Sequence, residues 1–185
     1  MLLSYNRLIT LLDEGVLEGS SYDNVNGSSI DLRIGDIIKV ECGPGKALQE
    51  RQVLDITKKE SPLFRDFDLS KDTFILNPGE FILAHSAETF NLPNNLSAEY
   101  KLKSSMARCG LEHLNAGWAD PGWHGSKLTL ELKNMLQYHS LLISRNMKIG
   151  QIVFFENEPV PEDKSYAVRG KYNNNDSVQS NLGVD

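Results

Sequence analysis

The chain has 185 residues, 40% of them hydrophobic and 24% charged, with a formal net charge of −6. That length suits one domain with its own core, spanning 1–185, and is short for two. No apolar run approaches a membrane span, MLLSYNRLITLLDEG lacks the pattern of a signal peptide, and the acidic balance disfavours a surface that tracks nucleic-acid phosphates, so a cytoplasmic protein with neither membrane nor nucleic-acid partner is expected.

In chain order, residues 4–14 read as a short amphipathic helix. Ser4 is placed to cap it, Leu8, Ile9, Leu11 and Leu12 supply an apolar face, and Gly15 follows. Beyond it, period-two alternation and short apolar runs predict strands at 30–34, 36–40, 80–86, 127–132 and 149–155. Turn chemistry separates them at Asn26-Gly27, Gly43-Pro44-Gly45, Asn77-Pro78-Gly79, Asp120-Pro121-Gly122 and Glu158-Pro159. The expected class is mainly β, a compact barrel or jelly-roll-like domain with few other helices. Residues 46–72 are charged and poorly periodic and read as a surface excursion. The polar, Asn-rich tail from Gly170, residues 170–185, reads as a flexible C-terminal arm, either a frayed end or a segment that orders over a ligand.

Residues 103–132 carry the chemistry. Lys103, Ser104, Ser105 and Arg108 gather cationic and hydroxyl donors suited to phosphate oxygens, and the competing reading is a solvated turn. Ala116-Gly117 lets backbone groups lie against a flat ligand, and Asp120 follows in a turn-rich segment where turn chemistry alone would also explain it. In Leu128-Thr129-Leu130-Glu131-Leu132 the leucines take one face while Thr129 and Glu131 share the other. A carboxyl enclosed there would have its pKa raised towards neutrality, where it can take and return a proton. Trp118 and Trp123 flank Asp120 and read as packing residues, and His113 is the histidine nearest the candidate site. There is no GxxxxGK[ST], GxGxxG or GxSxG motif and no histidine pair at ligand spacing, while Cys42 and Cys109 stand far apart and offer neither a disulfide framework nor a zinc site.

These segments, taken in order, resemble the dCTP deaminase family of the trimeric dUTPase superfamily over nearly the whole chain. NGSSIDLRIG (26–35) is similar to the family's opening, LNPGEFILAHSAETFNLP (76–93) to its central hairpin region and KSSMARCG (103–110) to its phosphate motif. HLNAGWADPGW (113–123) with LTLEL (128–132) resembles the base and sugar pocket, and RNMKIGQIVFF (145–155) with the GKY of the tail completes the match.

The resemblance implies a distorted β-barrel homotrimer with active sites between subunits, acting on dCTP or dUTP with Mg²⁺ held through the substrate phosphates and no zinc. Glu131 would activate water for attack at C4 of cytosine, and Lys103, Ser104, Ser105 and Arg108 would contact the triphosphate. Asn115, Ala116, Gly117 and Trp118 would form the base pocket, and Asp120 would hold the 3′-hydroxyl. Tyr166, Lys171 and Gln179, with Asn175 as the alternative to Gln179, would close over the phosphates. Gly117-Trp118 stands where deaminase-only members carry His-Arg and resembles the bifunctional members that continue to dUMP, Asp120 then sharing water activation with Glu131. The chain is one residue short between Gly110 and His113 and one long between Gly125 and Leu128, where Ser126-Lys127 reads as a compensating bulge. A dUTP pyrophosphatase that does not deaminate and a nucleotide-responsive binding protein are the competing functions.

Overall fold

The computed structural model describes residues 1–43, 53–58 and 60–182. Helix α1 spans Tyr5–Asp13, buries Leu8 and Leu11 and is followed by Gly15, as its apolar spacing requires. Ser4 occupies the N-cap position, but its side chain makes no capping bond, so the cap expected from its type is not formed.

The strands are β1 (Leu17–Glu18), β2 (Ile30–Arg33), β3 (Ile37–Glu41), β4 (Phe64–Asp68), β5 (Phe74–Leu76), β6 (Phe81–Asn91), β7 (Leu96–Leu102), β8 (Leu111–Glu112), β9 (Trp118–Ala119), β10 (His124–Asn134), β11 (Leu141–Ile143) and β12 (Lys148–Glu156), with short helices α2 (Ser104–Arg108) and α3 (Tyr166–Arg169). One antiparallel sheet runs β4-β3-β6-β10-β8 with β1 added to β6, a second runs β2-β12-β7-β9, and β5 pairs with β11. The mainly β class is borne out, as open sheets stacked over a common core. Ile82, Ala84, Leu130 and Leu132 of the first sheet pack with Ile30, Leu32, Ala98, Ile152 and Phe154 of the second. No described helix is long and apolar enough to cross a membrane.

All five strands expected from the sequence form, and β6 and β10 run several residues beyond their expected ends. Seven further strands were not expected, of which β4 and β7 are the longest. The 46–72 excursion contains β4, an edge strand whose charged residues face water while it pairs with β3 from Ile37↔Asp68 to Glu41↔Phe64. Residues 44–52 and 59 of that stretch lie outside the described residues. Strand β7 is buried along most of its length, so LSAEYKL shows no clean alternation.

An ion pair with a buried carboxylate ties the two sheets. Glu88 of β6 is fully buried, and its carboxylate accepts bonds from the Arg33 Nε at 2.8 Å and the Arg33 backbone N–H at 3.1 Å. Leaving one member of such a pair buried alone typically costs ~3–5 kcal/mol. Replacing Arg33 with methionine leaves the buried Glu88 carboxylate without its cation and should therefore lower unfolding stability by about 3 kcal/mol in a urea titration at neutral pH; a loss under about 1 kcal/mol would show that water reaches Glu88 freely.

Candidate active site

Strand β10 pairs with β6 along its length, which fixes the face each side chain takes: Thr129 lies opposite His85 and Glu131 opposite Leu83. Leu128, Leu130 and Leu132 point into the core, while Lys127, Thr129 and Glu131 alternate on the other side, as the period-two reading required. That other side is the wall of a cavity of about 540 Å³. Phe81 and Leu83 continue the wall from β6, Trp123 and the Ala116–Asp120 segment close one end, and the segment at Ser61, Pro62 and Phe64 closes another.

The tail completes the enclosure. Tyr172 accepts a bond on its carbonyl from Trp123 Nε1 at 2.8 Å, and Asn174 N–H donates to His124 O at 3.1 Å. The Lys127 N–H donates to Asn175 O at 2.8 Å, and Gln179 N–H donates to the Thr129 hydroxyl at 3.1 Å. Val178 is buried, so this polar tail inserts one apolar anchor. Asn181 then bonds the Glu60 carbonyl at 3.2 Å, joining the tail to the segment beside Ser61.

Of the residues singled out from the sequence, Ala116, Trp118, Asp120, Glu131, Tyr166 and Gln179 come together on this cavity, and Asn175 joins them. Burial among apolar walls pushes the Glu131 carboxyl up to about 7, opposed only by a backbone hydrogen bond that favours its charged form. Asp120 is exposed at the rim, and its Oδ1 accepts a bond from Trp118 Nε1 at 2.9 Å. Trp118, 57% exposed, packs on one side only, 6.0 Å from the Phe155 ring, and so adds this bond to the packing role expected of it; Trp123 packs in the core, 5.0 Å from Phe90. Burial also raises the Tyr166 hydroxyl's pKa, and Ser165 caps α3 by accepting from Ala167 N–H at 3.2 Å.

Gly117 is buried rather than lining the cavity, and a Cβ there would sit 2.8 Å from Tyr100 Cβ and 2.9 Å from its carbonyl, so only glycine fits. Leu114 and Asn115 both adopt left-handed backbone, φ 56° and 57°, which turns the chain sharply into Ala116. His113 is buried edge-on to Tyr100, away from the cavity, and burial lowers its pKa.

The phosphate set lies apart. Ser104, Ser105 and Arg108 are exposed on α2, outside this chain's cavity, and Lys171 is exposed on the tail. Lys103 sits at the N-cap position of α2, and its ammonium pairs at 2.6 Å with buried Asp31, which also takes Lys148 at 3.2 Å. Among the described residues no three His, Cys, Asp or Glu side chains converge into a metal-holding group. Two separated carboxylates, Asp120 and Glu131, suit a divalent ion held mainly by phosphate oxygens and water. Sequence reasoning places Thr129 on the face of Glu131 but misses Lys127, Tyr172 and the wall at Ser61, Pro62 and Phe64 as cavity residues. Counting back by twos from Glu131 finds Lys127.

The family model for dCTP deaminase-like domains matches residues 2–157. The protein named dCTP deaminase, dUMP-forming, of Nanoarchaeum equitans is 33% identical, covering 88% of this chain and 88% of its own. Its namesake in Methanosphaerula palustris is 36% identical over 80% of this chain and 76% of its own. The crystal structure of 2′-deoxycytidine 5′-triphosphate deaminase from Agrobacterium tumefaciens superposes with a TM-score of 0.63 at 21% identity, covering 83% of this chain; the chain spans about half, 47%, of that structure's length. Shared fold, a family match over most of the length and relatives above 30% identity agree: the chain belongs to the dCTP deaminase-like family.

Proposed function

We propose that the protein hydrolyses dCTP, releasing ammonia from C4 of cytosine and continuing to dUMP and pyrophosphate. The observation that carries this reading is Glu131, a carboxyl on a cavity wall whose pKa is raised to about 7 by burial. Near neutrality such a group is partly ionised and serves as both base and acid. As the carboxylate it takes a proton from water as the oxygen attacks C4 and, as the acid, passes it to N3; it then takes the proton of the new C4 hydroxyl and gives it to the departing amino group, so that C4 becomes the carbonyl of uracil and ammonia leaves. Orientation within the cavity and proton transfer by a positioned side chain, the latter contributing roughly 10²–10⁴-fold, together allow this hydrolysis without a protein-held zinc.

The continuation to dUMP is supported by the names of the relatives and by Gly117-Trp118, which stands where deaminase-only members carry His-Arg. Asp120, at the rim and held by Trp118, would receive the deoxyribose 3′-hydroxyl and share activation of the second water with Glu131. Mg²⁺ bound to the triphosphate would neutralise its charge. Ser104, Ser105 and Arg108 lie outside this chain's cavity, so a neighbouring protomer would present them to it, as a homotrimer with sites between subunits permits. The tail from Tyr172 to Leu182 would close over the bound nucleotide in a cytoplasmic enzyme that binds neither membrane nor nucleic acid.

Incubation with dCTP or dUTP and Mg²⁺, with ammonia, dUTP, dUMP and pyrophosphate measured separately, tests the reading. Ammonia with dUMP from dCTP is expected; pyrophosphate from dUTP without ammonia from dCTP would indicate a pyrophosphatase instead. Glu131→Gln should reduce deamination at least ~100-fold with nucleotide affinity retained, since it removes the base and keeps the shape. In the wild type, kcat/KM for deamination should rise with pH through about 7 and then level, because only ionised Glu131 accepts the proton of water.

The same shift sets a stability profile. A carboxyl whose folded pKa, about 7, exceeds its ordinary 4.5 resists ionising in the fold, so its burial costs progressively more as pH rises between those values. Glu131→Gln should match the wild type at pH 4 and exceed it at pH 8 by on the order of 2–3 kcal/mol in denaturant unfolding. An equal difference at both values would show that Glu131 titrates as it does in water.

A further inference from the structure

The turn that carries Ala116 to the cavity is held at both ends by one residue, Tyr100 of β7. At its start the His113 ring meets the Tyr100 ring edge-on, with centroids 5.0 Å apart. At its end the Tyr100 N–H donates to the Gly117 carbonyl at 2.8 Å, and the two chains pass so close that a Cβ on Gly117 would stand 2.8 Å from that of Tyr100. Beyond Gly117 the pairs Glu99↔Trp118 and Ala98↔Ala119 continue the contact as β9. Between the two ends Leu114 and Asn115 both take left-handed backbone, which a leucine adopts rarely and only where its surroundings enforce it. Leu114 is half exposed, so its own side chain does not supply that enforcement.

Tyr100 itself is tightly seated. It is 2% exposed, and at the far end of its ring Gly150 of β12 leaves open a space where a Cβ would collide with the ring and its oxygen. One ring therefore needs two glycines, Gly117 beside its Cβ and Gly150 beside its hydroxyl. That hydroxyl is buried with no hydrogen-bond partner among the described residues. What Tyr100 gives the turn is thus the breadth of its ring and the position of its backbone. Burial, with the Glu131 charge as the lesser cause, raises the hydroxyl's pKa, which puts Tyr100 within electrostatic reach of the acid.

We propose that Tyr100 is a positioning residue for base recognition: its ring and backbone clamp residues 113–117 so that the Ala116 backbone stands ready for a flat pyrimidine. The inference rests on the nucleotide-hydrolase reading above. It deepens that reading by assigning the set of the base-facing turn to a side chain outside the cavity lining. A turn fixed in advance loses no conformational freedom on binding, so loosening it weakens contacts to the base and leaves contacts to the phosphates as they were. The competing role for Tyr100 is packing alone, in which its loss lowers stability and treats all ligands alike.

Calorimetric titration of wild type, Tyr100→Leu, Tyr100→Phe and Gly117→Ala with dCTP and with inorganic tripolyphosphate, which has no base, separates the two. In Tyr100→Leu the affinity for dCTP should fall about tenfold, while that for tripolyphosphate stays within about twofold of wild type. Tyr100→Phe keeps the ring and should match the wild type for both. Gly117→Ala presses on the same contact from the other side and should reproduce the Tyr100→Leu pattern. Wild-type affinity for dCTP in Tyr100→Leu overturns the proposal, whether or not its melting temperature falls, and so does an equal loss for both ligands. A leucine variant that fails to fold hands the same two outcomes to Gly117→Ala. A loss of about tenfold in Tyr100→Phe would also overturn it, because the hydroxyl and not the ring would then be at work. Because these are binding measurements, a wild type that holds dCTP tightly but releases no ammonia would defeat the catalytic reading while leaving the comparison of variants decisive.

Discussion

The antiparallel pairing of β6 with β10 is the constraint on which the rest depends. Once Glu131 stands opposite Leu83, alternation sends three leucines inward and Lys127, Thr129 and Glu131 outward to one wall. The core needs those leucines, so the register cannot slip by one residue without turning the whole set over. The same packing that stabilises the sandwich therefore keeps a carboxyl in poorly solvated surroundings, and its proton affinity follows from the fold's own requirement for a buried stripe. The Arg33–Glu88 pair, joining β2 to β6 near the other end of the strand, keeps the second sheet in step with the first.

Much of this architecture is legible in the amino-acid sequence. Alternation in LTLEL marks the leucine face and the Glu131 face, and turn dipeptides separate the strands that pair in the fold. What the sequence conceals has physical causes. β7 is buried over most of its length and shows no period; β4 is an edge strand whose charges resemble a loop. Trp118 reads as a packing residue by type, yet it is half exposed, meets only the Phe155 ring, and its indole N–H serves Asp120. The cavity itself cannot be read from the chain, because it joins residues near 62, 81, 118, 129 and 179 that are remote in sequence. Composition likewise marks the tail as too polar for a core; its backbone bonds to β10 and the burial of Val178 depend on geometry that composition does not encode.

Charge in and around the cavity is sorted by surroundings rather than by residue type. Glu131 is enclosed by apolar walls and titrates near neutrality, whereas Asp31, equally acidic by type, is held below its ordinary range: burial alone would raise it, but bonds from Lys103, Asn26 and Lys148 outweigh that. Two carboxyls within one small protein are thus driven in opposite directions by whether cations or leucines and phenylalanines stand beside them. Lys103, which its neighbours in sequence suggest as a phosphate ligand, commits its ammonium to Asp31 and fixes the start of the Ser104–Arg108 turn instead.

The left-handed glycine at 125 has a consequence for how such a protein can vary. As the unpaired residue between the His124↔Asn91 and Ser126↔Phe90 pairs, it acts as a mechanical fuse between the loop that ends at Trp123 and the strand that follows. A one-residue offset arriving from that loop is thus discharged at the kink, ahead of the acid, and the proton-handling group keeps its seat opposite Leu83.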